Sequence, residues 1–213
     1  MSLCKALRKD CWGVQAALRH PLLEGKKLIG RGVFSMVFEG TRKNTVLKMT
    51  VDNIGYYAFN DWVVGCRHRH FPRVVHSEGD IGSAKINGRD YSIYLFEMER
   101  LQPLAAGSEA RRLARRIMNV SATASGKYHW KTGDDIRAML TFGEMVRDSS
   151  LPRSVRNAVQ QLEEFCGNVP GGSVDLHMHN MMMRKNGDLV IIDPVANMKI
   201  WRESMEQLKR RGY

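Results

Sequence analysis

A change of hydrophobic period divides this chain. Residues 27–50 read strand–turn–strand–turn–strand through "KLIGRG", "SMVFEGT" and "NTVLKMT", with "KN" marking a tight hairpin. "RVVHSEGD", "SAKING" and "DYSIYLFEMERL" continue as two or three antiparallel strands, with Asn87-Gly88 as a hairpin signal. After Leu101 the pattern turns helical, through "PLAAGSEARRLARRIMNV", "DDIRAMLTFGEMVRD" and "LPRSVRNAVQQLEEFCGNV". In the last of these, Leu151, Val155, Val159, Leu162 and Cys166 fall on one stripe, and Pro152 suits the first turn. A strand "DLVIIDP" and a helix "KIWRESMEQLKRRG" complete the order. Two further helices are expected: residues 2–18, and the aromatic-bearing stretch 53–65 with Tyr56, Tyr57, Phe59 and Trp62. A β-rich segment before a helix-rich one predicts an α+β fold of two lobes with a cleft between them. The expected division is a helical extension over 1–26, an antiparallel β N-lobe over 27–101 and a helical C-lobe over 102–213.

Composition narrows what such a chain does. No stretch approaches the ~20 apolar residues of a membrane-spanning helix, and the opening residues carry scattered charge with no apolar signal region. Cys4, Cys11, Cys66 and Cys166 form no CxxC pair, and free thiols in a reducing cytoplasm are the simplest reading. The net charge of +11 favours an anionic partner: a nucleotide, nucleic acid or a nucleic-acid-associated target, or an acidic protein surface. The arginines of "EARRLARRIM" (Arg111, Arg112, Arg115 and Arg116) repeat at helical spacing, and a solvated helix face is the plainer reading of them. No aromatics interleave with them, which argues against a stacking platform for single-stranded nucleic acid.

Three short stretches carry chemistry. "LIGRGVFSMVFEG" places Gly30, Gly32 and Ser35 on a turn between strands, where glycine lets backbone approach a phosphate chain. A plain glycine-bearing hairpin reads the same way. A dinucleotide fold does not fit, because that motif leads from strand to helix. In "TVLKM", Lys48 stands alone in an apolar strand and must direct its ammonium to a polar site, or to water if the strand is an edge. In "SVDLHMHNMM", Asp175, His177, His179 and Asn180 crowd together, and Asp193 ends the apolar strand "LVIID". His177 and His179 suggest zinc, but no Cys or His lies close by in sequence to complete a tetrahedral site. A loop histidine bonded to its neighbours is the plainer role for His179.

The order of glycine turn, strand lysine, Asp-x4-Asn and strand-terminal Asp resembles the protein-kinase-like superfamily over about residues 28–200. Within it, "DLHMHNMM…NGDLVIIDPV" looks most like the early host-takeover Ser/Thr kinases of T-seven-like bacteriophages. "DLHxxN" is also shared with aminoglycoside- and choline-kinase-type phosphotransferases. The resemblance implies a minimal two-lobed kinase-like fold that binds ATP and Mg²⁺ and acts on host proteins in the bacterial cytoplasm. Gly30, Gly32 and Ser35 would cover the phosphates, and Lys48 would pair with the α- and β-phosphates. Met98 would be the gatekeeper, and the backbone at Glu99 and Leu101 would meet adenine. Asp175 would be the catalytic base, Asn180 and Asp193 would hold Mg²⁺, and His177 would touch the γ-phosphate.

The chain also departs from that pattern. The helix after Lys48 offers Asp61 in place of the usual glutamate partner. "SVD" replaces His-Arg-Asp, and Pro194-Val195 follows Asp193 in place of Phe-Gly. No Ala-Pro-Glu segment follows, so the usual platform for a protein substrate is not expected. A small-molecule phosphotransferase, or a silent nucleotide-binding pseudokinase that inhibits a host protein, are the alternatives. Glu163 and Glu164 are the acidic candidates for holding a cationic acceptor.

Overall fold

The computed structural model describes residues 12–128 and 133–210. They form a mixed α+β protein with two compact units. The first takes the described residues up to Asn53, then Val74–Arg100, then Lys199 onward; the second takes Ile54–Arg73 and Leu101–Met198. Residues 2–11 of the expected opening helix, together with Cys4 and Cys11, lie outside the described residues, as does the end of the chain after Arg210.

The first unit is built on a five-stranded antiparallel sheet, β1 (Leu28–Arg31), β2 (Ser35–Glu39), β3 (Thr45–Thr50), β4 (Val74–Ile86) and β5 (Arg89–Glu99). The strand order β1-β2-β3-β5-β4 puts β3 in the middle. Strand alternation sends Met36, Phe38, Leu47, Met49, Ile93 and Leu95 into one core. Helix α1 (Trp12–Ala17) contributes Val14 and Ala17 to that core. The turn after β4 is tight because Asn87 and Gly88 both take positive φ, of 49° and 80°.

The second unit is helical around two small ladders. A π-helical turn (Asn53–Ala58) crosses into it and leads to α2 (Phe59–Cys66). Then come α3 (Glu109–Lys127), α4 (Asp134–Arg147) and α5 (Arg153–Asn168). Ser108 caps α3 by accepting from the Arg111 amide at 3.1 Å. Leu151, Val155, Val159, Leu162 and Cys166 are all buried in this unit's core. Phe165 meets Phe59 edge-on, with centroids 5.9 Å apart. Four short strands follow: β6 (Gly172–Val174), β7 (Met181–Met183), β8 (Leu189–Ile191) and β9 (Val195–Asn197). β6 pairs with β9 and β7 with β8, both antiparallel. The last helix, α6 (Met198–Arg210), lies almost wholly in the first unit. No helix among the described residues is long and apolar enough to cross a membrane.

Several sequence expectations need correction. Neither unit is one contiguous segment. Residues 54–73, expected in the N-lobe, belong to the second unit, and α6, expected in the C-lobe, belongs to the first. Ile200 is fully buried in the core of the sheet. Glu203 accepts hydrogen bonds from Arg89 and Tyr91 of β5. Burial and the Glu203 contact push the Tyr91 phenol up to about 12. "RVVHSEGD" and "SAKING" are one long strand, interrupted by register shifts at Ser77/Gly79 and Asp80/Gly82. The β2–β3 connection spans residues 40–44, longer than a tight hairpin, with Asn44 at φ 63°. Strands β6, β7 and β9 carry too few residues for an alternation signal, so the sequence does not announce them.

Candidate functional site

In the first unit the glycine turn and the strand lysine are joined by sheet register. Gly30 pairs with Val37, Val37 with Lys48, and Lys48 with Phe96, so the four share one cross-strand row. Directly paired residues point to the same face, and on this face Met98 pairs with Val46. It is the face opposite Leu47 and Met49, which enter the core. Lys48 is only 7% exposed on the central strand, which overturns the reading of an edge lysine in water. The turn closes with the Gly32 amide donating to the Ser35 carbonyl at 2.9 Å. Neither Gly30 nor Gly32 has a positive φ. A methyl group at Gly30 would meet only the Val37 side chain, with Cβ at 3.5 Å and Cγ2 at 3.8 Å. Asp61, the sequence candidate to pair with Lys48, is exposed in the first turn of α2.

A buried carboxylate fixes the strand that carries Lys48. Glu97 is 4% exposed and stands opposite Leu47. It accepts from the Thr41 and Arg42 amides at 2.8 and 3.1 Å, and from the Thr41 and Thr45 hydroxyls at 2.6 and 2.5 Å. Burial alone would raise its pKa, but these four donors outweigh that and hold the carboxyl down to about 2. The chain passes from the first unit to the second between Arg100 and Leu101. Glu99 ends β5 opposite Thr45, and just past Leu101, Gln102 and Met183 exchange two backbone hydrogen bonds of 2.8 Å.

In the second unit Asp175, Asn180 and Asp193 are brought together by the ladders. Asp175 follows β6, Asn180 ends a 3-10 turn (Met178–Asn180) before β7, and Asp193 lies between β8 and β9. The Asp175 amide donates to the Pro194 carbonyl at 2.8 Å, and the Ile192 amide donates to the Asn180 carbonyl at 2.9 Å. The backbone on both sides of Asp193 is thus tied to Asp175 and Asn180. Asn180 is buried, and its Nδ2 donates to both the carbonyl and Oδ2 of Asp175, each at 2.8 Å. Because the amide is planar, its oxygen is turned away from that carboxylate. Oδ1 of Asp193 is sealed from solvent. His177 Nδ1 accepts from the His179 amide at 3.2 Å, which leaves Nε2 to carry the proton in the neutral ring. That Nε2 lies 3.4 Å from Asp175 Oδ1. The His177 and His179 rings meet at 5.8 Å. Among the described residues, no three His, Cys, Asp or Glu side chains cluster as a metal site. Asp193 and Asn180 offer hard oxygen donors, the kind that binds Mg²⁺ together with substrate phosphates.

Sequence reading missed His70. It is buried; its Nδ1 lies 2.8 Å from the Leu189 carbonyl and its Nε2 lies 3.0 Å from Ser154 Oγ. Its own carbonyl accepts from the Ile191 amide at 2.8 Å. Ring and backbone therefore clamp β8, the strand that presents Asp193. Burial, with Arg69 close by, lowers the His70 pKa against the opposing effect of the Leu189 carbonyl. The available signal was slight: in "RHRHFP", His70 adjoins the apolar Phe71. No family model, no curated protein and no solved structure matches this chain, which leaves the geometry of these groups as the ground for its function.

Proposed function

We propose that this protein is a kinase-like phosphotransferase that moves the γ-phosphoryl group of ATP to Ser or Thr hydroxyls of proteins. The observation that carries the reading is the Asp175–Asn180–Asp193 arrangement: one carboxylate held by the Asn180 amide, with the backbone on both sides of Asp193 tied to Asp175 and Asn180. Asp175 accepts the proton of the substrate hydroxyl as its oxygen bonds to the γ-phosphorus. The bond from that phosphorus to the β–γ bridging oxygen breaks, and ADP leaves. Asn180 and Asp193 would hold Mg²⁺, which neutralises charge on the phosphates when bound. His177 Nε2, 3.4 Å from Asp175 Oδ1, donates toward Asp175 or toward the transferring group.

In the first unit, Gly30, Gly32 and Ser35 cover phosphates with backbone amides, and Lys48 pairs with the α- and β-phosphates. The backbone at Glu99 and Leu101 meets adenine. Lys48 supports this, because the central strand places its cation in the same cross-strand row as Gly30. The kinase-like fold, a bacteriophage origin and host cytoplasmic targets belong to the same proposal and rest on the sequence resemblance.

Incubation with γ-labelled ATP, Mg²⁺ and bacterial lysate tests it. Label should appear on proteins. Asp175→Ala should cut transfer by about 10²–10⁴-fold while ATP binding persists. Label confined to small molecules would point to an aminoglycoside-kinase-like activity, and target capture without label to a silent inhibitor. Undiminished transfer by the Asp175 variant would refute the role of that residue.

A further inference from the structure

Arg111, Arg112, Arg115 and Arg116 occupy the first half of α3, and Arg153 and Arg156 open α5. None of the six has an ion-pair partner among the described residues. By contrast, in the same unit Arg69 pairs with Asp188, and Lys127 and Arg147 share Glu144. Arg112 donates to the Gly107 carbonyl at 2.6 Å and Arg116 to the Ser150 carbonyl at 3.0 Å. These contacts hold the guanidinium groups without neutralising them. Ser150 stands three residues before Arg153, so the Arg116 contact brings the start of α5 beside the α3 arginines. Arg111 Nε is buried with no hydrogen-bond partner.

Helix stability opposes this arrangement. Arg111 and Arg115 are four residues apart, as are Arg112 and Arg116, so like charges face each other along two adjacent rows. The first two also sit in the opening turn, where the helix dipole repels cations and Glu109 is the lone acid. An anionic ligand would offset both effects.

We infer that this arginine face docks an acidic segment of the protein substrate. Guanidinium groups take carboxylates in a planar, bidentate fit. Arg111 to Arg116 spans about 7.5 Å of helix, at about 1.5 Å per residue. That length suits a few neighbouring carboxylates better than the extended phosphate ladder of a duplex. No aromatic residue lies within 109–118 to stack on bases. The same helix packs against the 3-10 turn, β7 and β8, the elements that carry Asn180 and lead to Asp193. The inference rests on the proposed phosphotransfer only for its catalytic readout.

The test compares two fluorescein-labelled peptides, a serine followed by a run of glutamates and the same peptide with glutamines. Anisotropy without nucleotide should show the glutamate peptide binding at least about tenfold more tightly, with the preference shrinking at high salt. Arg112→Gln with Arg115→Gln should remove it, while Arg112→Lys with Arg115→Lys should retain part, and thermal melts should show all three proteins folded. Equal binding of both peptides, or a folded glutamine double variant that binds normally, would overturn the inference. So would a short DNA duplex that displaces the peptide at lower concentration than the peptide's own unlabelled form. With ATP and Mg²⁺ added, the glutamate peptide should show a lower KM at similar kcat. Preferential binding with neither peptide labelled would sink the phosphotransfer reading and leave the docking face standing. Equal labelling of both would do the reverse.

Discussion

The Glu97 carboxylate receives four hydrogen bonds from the β2–β3 turn, and those donors keep it ionised inside the protein. Its pKa is about 2 in the fold against 4.5 ordinarily. The stabilisation is therefore complete above pH 4.5 and is lost as pH falls from there toward 2. The shift corresponds to about 3 kcal/mol. Glu97→Gln should lower stability at pH 7 by up to about that amount and flatten the acid limb, as measured by urea unfolding across pH. Stability unchanged by this substitution would show that the turn does not depend on the charge. Lys48, Asp175, Asn180 and Asp193 stood out in sequence because each is marked by nearby residues: an apolar strand around a lysine, or fixed spacing along one segment. Glu97 and His70 did not, because what defines them is remote. Thr41 is 56 positions from Glu97, and Leu189 is 119 from His70.

At the scale of the hairpin, two glycines that look alike in sequence differ in kind. A Cβ at Gly40 would fall 2.0 Å from Thr45 Oγ1 and 2.5 Å from the Thr45 carbonyl carbon, so no side chain fits without moving backbone. A Cβ at Gly30 meets only ordinary contact with Val37. Gly40→Ala should destabilise the first unit by about 1–3 kcal/mol. Gly30→Ala should leave the melting temperature nearly unchanged and raise the KM for ATP, because the added methyl occupies the space into which a phosphate would come. If Gly30→Ala leaves ATP binding intact, the turn is structural only. The motif reading named Gly30 and Gly32 and passed over Gly40, since a close approach between strands leaves no mark in a one-dimensional pattern. Element type was more legible. Long periodic segments such as α5 and β5 gave clear signals, whereas the three-residue strands around Asp175 and Asp193 could not.

Across the whole molecule, two cores with different titrating anchors should fail in different acid ranges. Burial keeps His70 neutral in the second unit, so its folded pKa lies below the 6.5 of the unfolded chain. Protonation of the unfolded chain then draws stability from that unit as pH falls below 6.5, whereas the Glu97 contribution in the first unit is untouched until 4.5. Hydrogen exchange at pH 5.5 should find amides of the second unit less protected than at pH 7.5, with His70→Gln reducing that difference and Glu97→Gln leaving it unchanged. The order of the longer strands and helices was readable from period alone. The assignment of residues 54–73 and of α6 to their units was not, because both follow from which core receives Phe59 and Ile200. The α6 placement also bears on synthesis. A ribosome delivers all five strands well before it delivers Ile200 and Glu203, so the nascent sheet emerges with part of its oily face bare. Until residues 198–210 follow, that surface is open to chaperones and to neighbouring chains, and the arrival of α6 decides when the sheet is sealed.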